Sequence, residues 1–384
     1  MNFRPLACAV AVFLCGVSGR SQTTTFAPAN PPEMKPLVGR DSAAYKAAAH
    51  FMHGVNLANY LEVPPGQNWR VKITEADFDH IKAEGFDHIR VPTGWHHYAG
   101  PGPDFKLSDA IFDKVDFVIT NALSRNLAVM LNIQHFHEFT SNPPAYTDEF
   151  IAIWRQIAAH YAKLPNTVVF ELLNEPKDSA TTAVMNPIYA RAIAAIRETN
   201  PDRTIAVGPG RWNGIDELKN LVLPAEDKSL LVTVHCYEPF YFTHQGATWA
   251  GPDVKTRGII FPGPPPSPLT PDPSAKKYVA DWIASYNTLP AEKNPSSRVA
   301  FEDKLKRVRQ WSDYYGRPVH VGEFGCYTTA DPASRANFHR EFRAVLDGQK
   351  LGWAIWDWNA GFHYWDPRKN EPAPGMREAL FPKR

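Results

Sequence analysis

Two glutamates in this chain stand where an apolar run has just ended. Glu175 lies in Asn174-Glu175-Pro176, after the apolar run 168–173, and Glu323 in Gly322-Glu323-Phe324-Gly325, after 319–321. Two carboxylates facing one another across a pocket are the minimum equipment for cleaving a glycosidic bond. One must carry a proton to assist the leaving group, and the other must be ionised to attack the anomeric carbon. The competing reading of each is a structural salt bridge or a solvated carboxylate. Other candidate strands carry such groups at or near their ends: Arg90, Gln134 with His135, His235 with Tyr237, and Trp356. The chemistry-bearing side chains therefore share a position relative to the elements that carry them.

Those elements form a regular series. Candidate strands lie at 52–57, 87–91, 128–133, 168–173, 204–208, 230–236, 318–322 and 353–358. Helical patterns separate them at 74–84, 108–125, 147–163, 183–199, 215–221, 301–315 and 333–348. Thr74 and Ser108 are suitable N-caps ahead of apolar periodicity. Strands alternating with helices in this order predict a single-domain (β/α)8 barrel, a fold whose catalytic groups sit at the C-terminal ends of the strands. No Ser/Thr-rich linker, repeat or appended module interrupts the series. Residues 261–273 hold seven prolines and cannot form a regular element, so they are expected as a structured loop in the long connection after the sixth strand.

With both glutamate motifs in order, and with Arg90, His235-x-Tyr237 and Trp356 around them, residues 50–370 resemble glycoside hydrolase family 5. The resemblance implies that Glu175 is the general acid/base and Glu323 the nucleophile. It further implies that Asn174 bonds the sugar 2-hydroxyl and that Arg90 keeps Glu323 ionised by lowering its pKa. Tyr237 would donate a hydrogen bond to Glu323, His235 would lie near Glu175 and the substrate, and Trp356 would form an apolar floor under the sugar. The family usually carries a histidine two residues after the amide or acidic residue ending the third strand. Counted from Asn132 that position is Gln134, so either His135 fills the role or Gln134 substitutes; His135 is the assignment preferred here. Segment 237–246 is similar to bacterial endoglucanases of the family, which implies internal cleavage of β-1,4-glucan. Mannan, xyloglucan and mixed-linkage glucan remain open, because one barrel with the same carboxylates serves them all.

Composition sets the remaining limits. Among 384 residues, 41 Lys+Arg balance 40 Asp+Glu, which leaves no basic excess for a nucleic acid partner. The chain is rich in aromatics, with 11 Trp, 14 Tyr and 22 Phe, the side chains that stack on the C–H faces of sugars. Trp95, Trp212 and Trp249 follow strand ends and are candidate platforms, whereas Trp154, Trp282 and Trp311 sit in helical stretches and are expected to pack. Arg4, then an apolar stretch over 6–17 and small or polar residues after it, reads as a signal peptide over 1–19. An irregular extension over 20–45 and a catalytic barrel over 46–384 would follow it. Secreted or periplasmic localisation is expected, with no membrane association after removal of the leader, and a monomer. The leader takes Cys8 and Cys15 with it; Cys236 and Cys326 could then pair or remain free thiols. His135-x-His137 suggests a metal centre, but barrel metallohydrolases place that pair on the first strand and add late ligands that this chain lacks. No metal or organic cofactor is therefore expected. A non-catalytic polysaccharide-binding barrel is the other class, and it leaves both glutamates without a purpose.

Overall fold

In the computed structural model, which describes residues 40–382, the expected apolar runs become eight parallel strands of one closed barrel. They are β1 (His53–Asn56), β2 (His88–Val91), β3 (Ala128–Asn132), β4 (Val168–Glu171), β5 (Ile205–Val207), β6 (Leu230–His235), β7 (Val319–Phe324) and β8 (Gly352–Ile355). Each pairs with the next, and β8 closes on β1 through His53–Trp353, Gly54–Ala354 and Val55–Ile355. The leader expected over 1–19 lies outside the described residues, as does most of the expected extension. A short helix, Ala43–Ala48, overlaps the last residues of that extension and is tied to the barrel by the Ala44 N–H donating to the Lys228 carbonyl.

The strands are buried on both faces, which explains their continuous apolar reading. Alternation then decides what fills the interior. Met130, Val169, Ala206 and Leu231 pack together inside with Phe51 and Ala128. Residues of the same parity further along, Asn56, Arg90, Asn132 and Glu171, make the interior polar toward the strand exits. Outward-facing residues such as Ile89, Val129, Phe170 and Val232 pack against the surrounding helices.

The helices begin close to where they were expected, at Glu75–Glu84, Asp109–Ser124, Pro143–His160, Thr182–Arg197, Glu302–Tyr315 and Pro332–Gln349. The segment expected at 215–221 is a 3-10 helix, Ile215–Asn220. Thr74 caps as predicted, its N–H donating to the Asp77 carboxylate at 2.7 Å, whereas Ser108 stands at the N-cap without a capping bond. A further helix, Lys277–Thr288, was not foreseen. It lies in the long connection after β6 and anchors the proline-rich loop, the Leu269 N–H donating to Asn287 at 2.8 Å; beyond the helix, the Ser296 carbonyl accepts the Gly263 N–H at 2.8 Å. Phe261 is buried among Phe242, Phe301 and Phe338, so the loop is structured as expected.

Strand β7 runs two residues beyond its expected end and includes Glu323. Register shifts occur between Val234 and His235 against β7, and between Val321 and Phe324 against β8. Such irregularities re-aim side chains, and here they fall at His235 and Glu323.

Trp154, fully buried, joins this frame to the site by donating its indole N–H to the Leu172 carbonyl at 2.9 Å, just beyond β4. Replacing it with alanine is expected to cost about 3–5 kcal/mol through the cavity and the lost bond, read from the midpoint of urea unfolding.

Candidate active site

At the exits of the strands the polar interior is organised around Arg90, which is fully buried. A guanidinium has five N–H donors, and here all are used. Nε and Nη2 grip the two Glu171 oxygens at 2.6 and 2.8 Å. Nη2 also reaches Asn174 Oδ1 at 2.7 Å, and Nη1 donates to Asn56 Oδ1 and Glu323 Oε1, both at 2.8 Å. Burial works against the charge, but Glu171 and Glu323 hold the guanidinium pKa above its ordinary value. Asn56 in turn donates to the carbonyls of Gly322 and Ile355 at 3.0 Å, tying β1 to β7 and β8 beside the site.

Glu323 is buried, with its other oxygen accepting the Tyr237 hydroxyl at 2.9 Å. Glu175 leaves β4 in the left-handed region, φ +48°, and its Oε1 meets His235 Nδ1 at 2.9 Å. His235 Nδ1 is also 3.6 Å from Glu323 Oε2. The carboxylates of Glu175 and Glu323 and the ring of His235 present atoms all within 4.8 Å of one another.

These neighbours set the protonation states. Burial pushes Glu175 up to about 7; Arg90 and Lys177 oppose the rise and Glu171 adds to it. Glu323 was expected below the ordinary carboxylate range and lies above it. Arg90 does pull it down, as do His235 and the Tyr237 hydroxyl, but burial outweighs them and Glu175 adds to the rise. Burial lowers His235 to about 4, with Glu323 opposing, so at neutral pH the ring is uncharged and its contact with Glu175 is a hydrogen bond, not an ion pair.

The arrangement brings Arg90, Asn174, Glu175, His235, Tyr237 and Glu323 into one contact network. Trp356, half-buried just past β8, is attached to β7 by its N–H donating to the Phe324 carbonyl at 2.8 Å. Gln134 turns inward and accepts from Asn132 at 2.7 Å. His135, φ +54°, instead approaches Glu62 at 3.7 Å. Burial, His137, Lys177 and Arg90 depress His135 to about 4. Its ring stacks with that of His137 at 5.5 Å, and no cluster of three metal-ligating side chains forms around the pair among the described residues.

Trp95 is corrected from platform to core: it is fully buried and donates to the Asn132 carbonyl at 3.1 Å. Trp212 and Trp249 are 41% and 66% exposed and keep the surface that stacking requires. Trp249 stands near His244, Tyr327 and Phe362, and Phe362 in turn packs beside Tyr237. Trp154 and Trp311 are core, and Trp282 packs half-buried on Tyr286. Cys236 and Cys326 are free buried thiols, each raised to about 12 by burial, so no disulfide joins them.

Four site residues escaped the sequence reading. Glu171 carried a signal, a charge inside an apolar run, while Asn56, Asn213 and Glu62 carried none. Glu62 is buried with Oε1 unpartnered among the described residues, and burial raises it well above the ordinary range. Asn213 closes a left-handed turn after β5 in which Arg211, Trp212 and Asn213 have φ of +52°, +59° and +54°. This conformation suits Asn but costs about 1–2 kcal/mol at each of the other two.

Comparison with known proteins gives one consistent result. The family described as Cellulase (glycosyl hydrolase family 5) matches residues 49–362. Endoglucanase H of Acetivibrio thermocellus is 28% identical over 275 residues, 71% of this chain and 29% of that protein. Endoglucanase 3 of Fibrobacter succinogenes is 29% identical, covering 83% of this chain and 51% of that protein. The chain thus spans about half or less of the length of these two relatives. A crystal structure of Thermotoga maritima Cel5A in complex with mannotriose superposes with a TM-score of 0.77 and 31% identity, covering 88% of this chain and all of that one.

The raised carboxyl of Glu175 carries a stability cost of known sign. Between the unfolded value near 4.5 and about 7, the folded state binds more protons than the unfolded state, so stability falls as pH rises through that window. Glu175→Gln removes the penalty. The variant is expected to exceed the parent in stability at pH 8 by up to about 3 kcal/mol and to lose that advantage by pH 4, read from urea unfolding at both pH values.

Proposed function

Because the chain belongs to the cellulase family, glycosyl hydrolase family 5, we propose that it is a retaining β-glycoside hydrolase that cleaves internal β-1,4-glucosidic bonds. The observation that carries the mechanism is the approach of Glu175 and Glu323, whose carboxylate oxygens come within 4.8 Å of each other. Retaining enzymes hold their carboxyl groups about 5–5.5 Å apart, whereas inverting enzymes leave about 6.5–9.5 Å for a water.

In the first step Glu323 attacks the anomeric carbon while Glu175 gives its proton to the leaving oxygen. The glycosidic C–O bond breaks and a glycosyl ester forms on Glu323. In the second step Glu175, now ionised, takes a proton from water, which attacks the same carbon and releases Glu323. The surroundings suit this division of labour. Glu175 is poised near 7 for proton transfer, and Glu323 is hydrogen-bonded at both oxygens, by Arg90 and Tyr237, which favours its ionised form. Asn174 gives its carbonyl to Arg90, which fixes its amide and leaves Nδ2 to bond the sugar 2-hydroxyl. His135 takes the third-strand role, since Gln134 is occupied by Asn132. Trp356 is the sugar floor, and Trp212 and Trp249 are outer platforms. The two carboxylates complete the reaction without a metal or organic cofactor.

β-1,4-Glucan is the proposed substrate, in line with the endoglucanases among the relatives. The mannotriose bound by the Thermotoga maritima protein favours mannan as the second reading. A polymeric glucan does not cross a membrane, and the leader-like sequence over 1–19 supports action outside the cytoplasm; the proposed form is a monomer. Among the described residues no helix is long and apolar enough to span a membrane.

Reducing-sugar release is expected from carboxymethylcellulose; release from mannan, xyloglucan or mixed-linkage glucan alone would keep the mechanism and replace the substrate. Glu323→Ala is expected to abolish turnover while leaving oligosaccharide binding measurable by calorimetry, and Glu175→Ala to lower kcat by about 10²–10⁴. The pH profile of kcat/KM should be bell-shaped with its basic limb near 7. Activity rising steadily to high pH would rule out Glu175 as the acid.

A further inference from the structure

Asn213, at the end of the left-handed turn after β5, stands between the backbone of Glu175 and the ring of His235. Its amide is fully buried and lies against Gly208, where a Cβ would approach it to 2.6–2.7 Å. The Glu175 backbone N–H, which can only donate, reaches Asn213 Oδ1 at 3.1 Å. That contact fixes the orientation of the amide, so the group facing His235 Nε2 at 3.4 Å is the Nδ2 donor. A donor aimed at a ring nitrogen requires a lone pair there. Neutral imidazole has one lone pair and one N–H, so the hydrogen resides on Nδ1. Nδ1 is the atom 2.9 Å from Glu175 Oε1. The three bonds form a closed circuit: Glu175 N–H to Asn213, Asn213 to His235, and His235 back to the Glu175 carboxylate.

We propose that Asn213 is a positioning residue that fixes the tautomer of His235, so that an N–H rather than a lone pair faces the Glu175 carboxylate. The proposal deepens, and rests on, the reading of Glu175 as the acid/base. An N–H at this position favours the ionised form and opposes the effect of burial, which brings Glu175 within reach of both of its roles. The opposite tautomer would present a lone pair and hold Glu175 protonated, suited to the first step and unsuited to the second. Other charged or titratable groups act on the pair from the surrounding elements: Arg90 on β2, Glu171 on β4, Lys177 after β4, Tyr237 after β6, and His320 and Glu323 on β7. None of them hydrogen-bonds His235 Nε2; the Glu175 and Glu323 carboxylates favour a hydrogen on Nδ1 from the other side of the ring, and among the described residues Asn213 is the group that holds Nε2 bare.

The test uses the full chain with 15N-labelled histidine, Asn213→Asp and Asn213→Gly. Aspartate keeps the shape and tolerates the left-handed backbone but presents an acceptor to Nε2. Glycine keeps the backbone conformation and deletes both bonds. In the parent, His235 is expected to show a protonated Nδ1 and a bare Nε2 in its 15N shifts, and Asn213→Asp is expected to reverse them. The basic limb of kcat/KM should then move up by about one pH unit in Asn213→Asp, and by less in Asn213→Gly. A parent His235 protonated at Nε2 overturns the proposal. So does an Asn213→Asp variant that loses thermal stability but keeps the parental tautomer and pH profile, because a merely structural residue would behave that way. Glu175→Gln, assayed in parallel, separates the two levels. Full turnover by that variant would defeat the acid/base reading, while the 15N shifts would still decide the role of Asn213.

Discussion

One buried positive charge sets the terms for everything at the mouth of this barrel. Arg90 has no solvent to satisfy it, and it places its five hydrogen bonds on four residues at three other strands or strand exits: Asn56 on β1, Glu171 and Asn174 at β4, and Glu323 on β7. Removing one member of such a set strands a charge in the interior, at a cost of about 3–5 kcal/mol. The same contacts aim Asn174 and Glu323 into the cleft. The geometry of the site and the integrity of the barrel mouth are therefore one electrostatic arrangement.

The second constraint is the left-handed backbone around the strand exits. Glu175 and His135, and the turn Arg211–Trp212–Asn213, all have positive φ. Only Asn takes this conformation easily, so for the others the surrounding packing must impose it. The result is that Glu175 turns from β4 directly onto His235, while its own N–H reaches Asn213. Local strain, a desolvated carboxyl and a neutral histidine lie within a few ångströms of one another. This pattern is what functional sites show when reactivity is held against stability.

Charge partition explains why two glutamates in one pocket can differ. Both rise with burial, yet their partners are unequal. Glu323 is bonded by a guanidinium and a phenol, whereas Glu175 has a neutral imidazole and 24% of its side chain open to the cleft. The long connection after β6 contributes differently, with Tyr237 on Glu323 at its start and Trp249 beside Phe362 further along. Aromatic surface and hydrogen-bonding groups thus arrive from one continuous loop, braced by the buried Phe261 and the helix Lys277–Thr288.

Much of this was legible in the sequence, because periodicity is a local property. Uninterrupted apolar runs marked strands buried on both faces, and polar residues ending those runs marked the cleft, so the barrel, Glu175, Glu323, Arg90, His235 and Tyr237 could be placed from spacing and resemblance. What the sequence left open depended on partners distant along the chain. Asn56 and Asn213 are ordinary polar residues until β7 and β8, or Glu175 and His235, are folded against them. Trp95 follows a strand end as a platform would, yet it turns under the loop to bond Asn132. Cys236 and Cys326 sit on adjacent strand exits without pairing. The balance at Glu323 was misjudged for the same reason: one named cation suggested a lowered pKa, whereas desolvation, which exists only once the barrel has closed, is the larger effect. Pattern determined which residues reach the site, and tertiary burial decided what each can do there, because the energy of a charge depends on everything packed around it.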